Sequence, residues 1–414
     1  MSADRSGGDG GRRASGGRGG SRPGWRDDRV WQAGFLIGSA LGAAATVVGR
    51  HAERAARRGL VDWPEVERIA IGRLAHAPGG LTAAELRASE PAYAHAMARI
   101  VPALSDALQA DLPGVVERSG VVDRAGWVRA NTDAFASLID KLEAELLDEV
   151  IPPGGGLAKA TMALANRWVT NRQLGFLLGF MGSRVLGQYD LALLSAEQAP
   201  GRLLFVEENI RATATALRVP LPAFRTWIAL HETTHAFEFE AHPWLRPYLA
   251  SRLDRQLTLF GRDARGLGRQ ALNGLGRAMR GESSGHWLEG LMGDEQRALF
   301  RETQAVMSLL EGFSDYVMDE VGRDLVPDVE TISARFHERR NRRTPFERSV
   351  LRITGMDLKI EQYRTGERFV REIARLGGQA ALARLWDGPD SLPRDGEIEA
   401  PERWIRRVMA GSAV

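Results

Sequence analysis

Residues 227–239 read Trp-Ile-Ala-Leu-His-Glu-Thr-Thr-His-Ala-Phe-Glu-Phe, and within them His231-Glu232-Thr233-Thr234-His235 fits H-E-x-x-H. On an α-helix, positions four apart lie one turn apart on the same face. Two imidazoles so placed can bind a single zinc ion, and Glu232, beside the first, can take a proton from a water that the metal acidifies. The flanks support a helix: Pro220 and Pro222 precede a run from Ala223 to Ala241 without Gly or Pro, and Pro243 follows it. Phe224, Trp227, Ile228, His231, His235 and Glu238 share a broad face at helical spacing, so the imidazoles meet apolar surroundings. The bland alternative is a pair of core histidines bonded to backbone carbonyls.

A catalytic zinc needs a third protein ligand and an open position. Three sources compete. His242 is one residue late for H-E-x-x-H-x-x-G-x-x-H, with Glu238 where Gly would stand and Ala241 where His would stand. Glu238 itself, one turn beyond His235, could reach the metal only along the same helix, which is cramped. The best source is residues 309–319, Leu-Leu-Glu-Gly-Phe-Ser-Asp-Tyr-Val-Met-Asp, where Glu311 and Asp315 form another i, i+4 pair on an apolar helical segment. Glu311 can supply a carboxylate oxygen, and Asp315 can accept the remaining N–H of His231 and so fix its tautomer. The alternative here is a solvated acidic helix face.

The E-x-x-S-D order of 311–315 resembles the second motif of thermolysin-like zinc peptidases, in which the glutamate is the third ligand and the aspartate supports a histidine. More specifically, H-E-T-T-H-A-F-E-F-E-A-H-P-W-L-R-P at 231–247, L-L-E-G-F-S-D-Y-V-M-D at 309–319 and D-L-K-I-E-Q-Y-R-T-G-E-R-F-V at 357–370 are similar to the zincin-like metallopeptidase family of actinobacteria and relatives. Some members of that family are labelled as associated with coenzyme F420 biosynthesis. The likeness also takes in 121–135, 179–191 and 392–408. It implies a Zn2+-dependent hydrolase acting on a peptide or protein, on a mainly α fold of the α+β kind with a small β-sheet beside the active-site helix. One departure stands out: Phe313 occupies the place where the family pattern E-G-H-A-D would put His.

Composition narrows the field. Lys plus Arg number 55 and Asp plus Glu 53, a net charge of +2, with the two signs interspersed, so charge gives no case for nucleic-acid binding. The absence of cysteine excludes disulfides, iron–sulfur clusters, thiolate catalysis and Cys-type zinc sites, leaving His and carboxylates as metal ligands. Residues 1–29 read as a disordered Gly/Ser/Arg-rich tail. Residues 30–58 read as an apolar Gly/Ala-rich helix with a basic connector, and 59–414 as the zincin-like domain. Residues 30–48 are uncharged and near the length of a bilayer crossing, but their reliance on Gly and Ala favours a buried or interfacial helix over a true span. A cytoplasmic setting is expected, with membrane contact through 30–48 left open.

Helices are expected from Asp62-Trp63-Pro64, at Thr82–Ala88, Ala92–Gln109, Arg124–Asp148 and Gly156–Trp168, with a break at Pro152–Gly156. Glycines 175, 179, 182 and 187 within Gln173–Leu191 predict close helix packing, and Arg202–Asn209 is the best strand, with the edge-strand role beside the active helix given to it by resemblance. The glycine-broken stretch 261–285 is a candidate lid. Tyr316, His286, His337 and Tyr363 are candidate oxyanion donors. Two competing functions remain. A di-iron centre would need a second E-x-x-H, which the chain lacks; a zinc-binding pseudoenzyme or membrane-associated interaction protein without proteolytic activity is the stronger rival.

Overall fold

The computed structural model describes residues 61–150, 157–189, 201–259, 293–341, 359–394 and 396–410. The expected tail at 1–29, the segment 30–58, the Pro152–Gly156 break, the lid stretch 261–285 and His286 lie outside them.

In chain order the helices are α1 (Trp63–Leu74), α2 (Ala83–Arg87), α3 (Glu90–Leu108), α4 (Arg124–Val150), α5 (Leu157–Gly182), α6 (Glu207–Leu217), α7 (Leu221–Glu240), α8 (Asp294–Leu325), α9 (Val329–Asn341), α10 (Lys359–Arg384) and α11 (Pro401–Ala410). Residues 245–259 are also helical. Three strands complete the fold: β1 (Ser119–Val122), β2 (Gly187–Tyr189) and β3 (Leu203–Val206). The mainly α expectation with a small sheet holds.

Local chemistry sets several helix starts. The Asp62 carboxylate accepts from the Glu65 N–H and Pro64 sits in the first turn of α1, while Thr82 and Glu85 form a reciprocal capping box on α2. Helix α7 starts behind Pro220 with Pro222 in its first turn, as the prolines predict. Its burial is wider than one face: Phe224, Trp227, Ile228, Ala229, Leu230, Thr233, Ala236 and Phe237 are all buried, which makes it the central helix of the main core. A helix enclosed on most sides is apolar nearly all round, so its two half-buried histidines and two buried glutamates are exceptional.

Around α7 pack α3, α8 and the sheet. A second, smaller core joins α1, α4 and α5. There the glycines of α5 work as expected: a Cβ on Gly175 would lie 2.7 Å from the Ile69 side chain, so α1 and α5 approach to a distance that only glycine allows. The segments expected at 156–168 and from 173 are one helix, α5.

The sheet has the order β1-β3-β2, with β1 parallel and β2 antiparallel to β3. The strand expected at 202–209 exists but is shorter, because the chain turns directly into α6 at Glu207. It is also the middle strand, with every residue buried, so the edge position beside α7 belongs to β2 instead.

The tightest helix contact lies between α8 and α10. A Cβ on Gly312 would come within 2.2 Å of the Gly366 carbonyl carbon, and one on Gly366 within 1.9 Å of the Ser308 carbonyl oxygen. The two backbones therefore touch one residue beyond Glu311.

Candidate metal centre

Helix α7 carries His231 and His235 with their Nε2 atoms 3.3 Å apart. Helix α8 brings Glu311 alongside, its Oε2 4.0 Å from Nε2 of His231. The three ligand atoms lie within 4.8 Å of one another, and they form the one such group of metal-binding side chains among the described residues. Donors about 2.0–2.1 Å from a tetrahedral zinc are separated by about 3.3 Å. The imidazole pair already has that spacing, and the carboxylate must close by at most about 1.5 Å, within reach of a side-chain adjustment. The donor set fits zinc. His231 and Glu311 keep 21% and 26% side-chain exposure, so the centre is open to solvent on one side.

Contacts within α7 and from α8 orient the rings. Nδ1 of His235 lies 2.7 Å from Oε2 of Glu238, three residues on in α7, and 3.3 Å from Ser314 Oγ of α8. That pairing makes Nδ1 the donor and turns the Nε2 lone pair toward the ligand cluster. Nδ1 of His231 faces Met318 Sδ at 3.1 Å, and the proposed partner Asp315 lies half-buried one turn beyond Glu311 on α8. Glu238 was weighed only as a cramped ligand; the H-x-x-E spacing of His235 and Glu238 was the available signal for its place as acceptor. His242 has Nδ1 2.9 Å from the Glu238 carbonyl and stacks on Trp386 at 4.6 Å, which occupies the alternative ligand in packing.

Glu232 is buried on α7, and its Oε2 accepts the backbone N–H of Tyr189 at 3.2 Å. Strand β2 reaches this close because residue 187 is glycine: a Cβ there would lie 2.5 Å from Glu232 Cγ. The strand is held from both sides. Gln188 accepts from Trp127 Nε1 and donates to Asn131 Oδ1, each at 2.6 Å. The Tyr189 hydroxyl donates to Glu240 at 2.8 Å and accepts from Arg246 at 2.8 Å. No periodicity in Gly187-Gln188-Tyr189 marks this strand in the sequence.

The electrostatics follow from burial and crowding. Burial pushes the Glu232 carboxyl up to about 7, with His235 and the Tyr189 N–H opposing the rise and Glu311 adding to it. For His235 burial disfavours the charge, but Glu238, Glu311 and Glu232 outweigh it and push its pKa up to about 10. Burial likewise raises Glu238 to about 7, against the pull of His235. In the absence of a cation, a proton on His235 balances these carboxylates.

Of the candidate oxyanion donors, Tyr316 sits half-buried against the core with Glu320 and Arg371 near its hydroxyl, and burial raises its pKa. His337 lies on α9 beside Phe336, and the Tyr363 side chain is outside the described residues. Phe313 packs at 5.0 Å edge-on to Trp386 and at 6.4 Å from Phe237, so the departure from the family pattern is absorbed into the core.

Two imidazoles and a carboxylate converging beside a buried carboxyl group are a donor set of the zinc hydrolase class. The chain belongs to the zincin-like metallopeptidase family, whose model matches residues 61–405. It is similar to a solved structure from Chloroflexus aurantiacus described as a "putative hydrolase with a novel fold", at 34% identity and a TM-score of 0.63, covering 84% of this chain and 98% of that one. No curated protein matches the chain. Among the described residues no helix is long and apolar enough to cross a membrane.

Proposed function

We propose that this protein is a zinc metallopeptidase in which His231, His235 and Glu311 hold the ion and Glu232 is the general base. The observation that carries this reading is the 3.3 Å approach of the two Nε2 atoms, a zinc-compatible spacing, beside the buried Glu232. When bound, zinc would supply Lewis acidity, polarising a carbonyl and acidifying water. Every other role falls to the chain.

Glu232 takes the proton of the attacking water and returns it to the departing nitrogen. Its raised pKa suits both halves of that cycle, and the Tyr189 N–H fixes which oxygen remains free to act. Glu238 keeps His235 in the tautomer that presents Nε2, and the partial exposure of His231 and Glu311 gives a peptide access. Asp315, one turn beyond Glu311, is the further candidate to steady a ligand histidine.

The test compares wild type with Glu232→Gln for zinc content and for cleavage of a peptide library. The expected result is full zinc in both and a loss of roughly 10²–10⁴ in cleavage rate for the variant. Zinc in both with cleavage in neither would overturn the catalytic reading and leave a zinc-binding protein without proteolysis.

A further inference from the structure

We infer that Glu238 is a positioning residue that sets how tightly the centre holds zinc, acting through His235. This rests on the reading of His231, His235 and Glu311 as ligands.

Glu238 is fully buried; its Oε2 pairs with Nδ1 of His235 at 2.7 Å and the Ser314 hydroxyl also acts on the carboxylate, while Oε1 has no hydrogen-bond partner. A buried carboxylate left half-satisfied destabilises a fold, and an apolar side chain of similar size at this point of α7 would pack with less penalty. Packing therefore does not account for a glutamate here. Metal binding does. A dication facing two neutral imidazoles and the Glu311 carboxylate leaves one positive charge uncancelled. Glu238 supplies the missing negative charge through the His235 ring, because a cation on Nε2 polarises Nδ1–H and strengthens its bond to the carboxylate. Glu232 then stands outside the charge balance and remains available to carry protons.

The lock is local, since acceptor and ring are three residues apart on one helix, and Ser314 Oγ at 3.3 Å from the same nitrogen brings α8 to it. His235 is thus oriented before Glu311 closes.

The experiment measures zinc affinity of the full chain by competition with a chromophoric chelator, and thermal unfolding of the metal-stripped protein, for wild type, Glu238→Gln and Glu238→Met. The expected result is zinc binding weakened about 10–100-fold in both variants, beyond what any change in the unfolding temperature of the stripped proteins accounts for. The methionine variant fills the same space without polar atoms and carries the comparison should the glutamine variant fail to fold. Zinc affinity unchanged within about twofold overturns the inference, and so does a weakening matched by loss of stripped-state stability. If wild type itself shows no zinc binding that His231→Ala abolishes, the ligand reading fails and takes this inference with it.

Discussion

The backbone N–H of Tyr189 donates to Oε2 of Glu232 across 3.2 Å, joining the edge strand β2 to the helix that carries both histidines. Because a strand N–H points where its neighbours' pairing directs it, the bond aims Glu232 by tertiary structure and not by rotamer preference alone.

Replacing Gly187 by alanine should therefore cripple catalysis without removing the metal. The added Cβ would sit 2.5 Å from Glu232 Cγ, so strand or carboxylate must move. Displacement of a catalytic group by about 1 Å can reduce rate roughly 100-fold. Peptide cleavage and zinc content measured together check this; loss of both in equal measure would point to a folding defect.

Zinc affinity should rise with pH. The metal needs Nε2 of His235 free, and in the metal-free protein that ring stays protonated up to about 10. One displaced proton tightens the apparent dissociation constant up to about tenfold per pH unit between about pH 7 and 9. Chelator competition at several pH values reads the slope, and a flat profile would contradict the protonated ring.

Gly366→Ala should destabilise the fold and loosen zinc together. Its Cβ would overlap the Ser308 carbonyl, a backbone atom with no rotamer to yield, and the helix that must shift is the one bearing Glu311. A loss of about 3 kcal/mol is expected from overpacking of this severity. Denaturant unfolding of the stripped protein, with the zinc competition alongside, separates the two effects.

Acid should weaken the fold through Glu207. This carboxylate is fully buried, with Arg225, Arg211 and Tyr93 on its oxygens. Burial raises its pKa, but the hydrogen bonds from Arg225, Arg211 and Tyr93 outweigh that and leave it below the ordinary value. A depressed carboxyl pKa contributes stability that is present above the ordinary value and is lost as pH falls through the folded one. Glu207→Gln should lose about 3 kcal/mol near neutrality by leaving Arg225 unbalanced, and the gap to wild type should narrow in acid. Denaturant midpoints at about pH 7 and about pH 2.5 check both parts.

The parts of this site legible in the sequence were those with a helical period. Prolines bracketed α7, the i, i+4 spacing placed His231 with His235, and the second i, i+4 pair pointed to Glu311, whose approach from α8 required only that two helices meet. The rest depends on contacts that carry no local signal. Strand β2 is three residues long, too short for alternation to register, so the donor to Glu232 was invisible. The central place of β3 in the sheet was hidden because its pairing with β1 spans a long crossover. Nothing in the sequence pairs Gly312 with Gly366; the fold sets one against the other. Glu238 was in plain view, but spacing alone could not distinguish a ligand from an acceptor.

The touching backbones of α8 and α10 carry one more implication, for biosynthesis. The brace behind Glu311 comes from residue 366, fifty-four positions after Gly312, so α10 must leave the ribosome before α8 finds its support. Ion capture thus waits on α10, and chains terminated before it should emerge without metal.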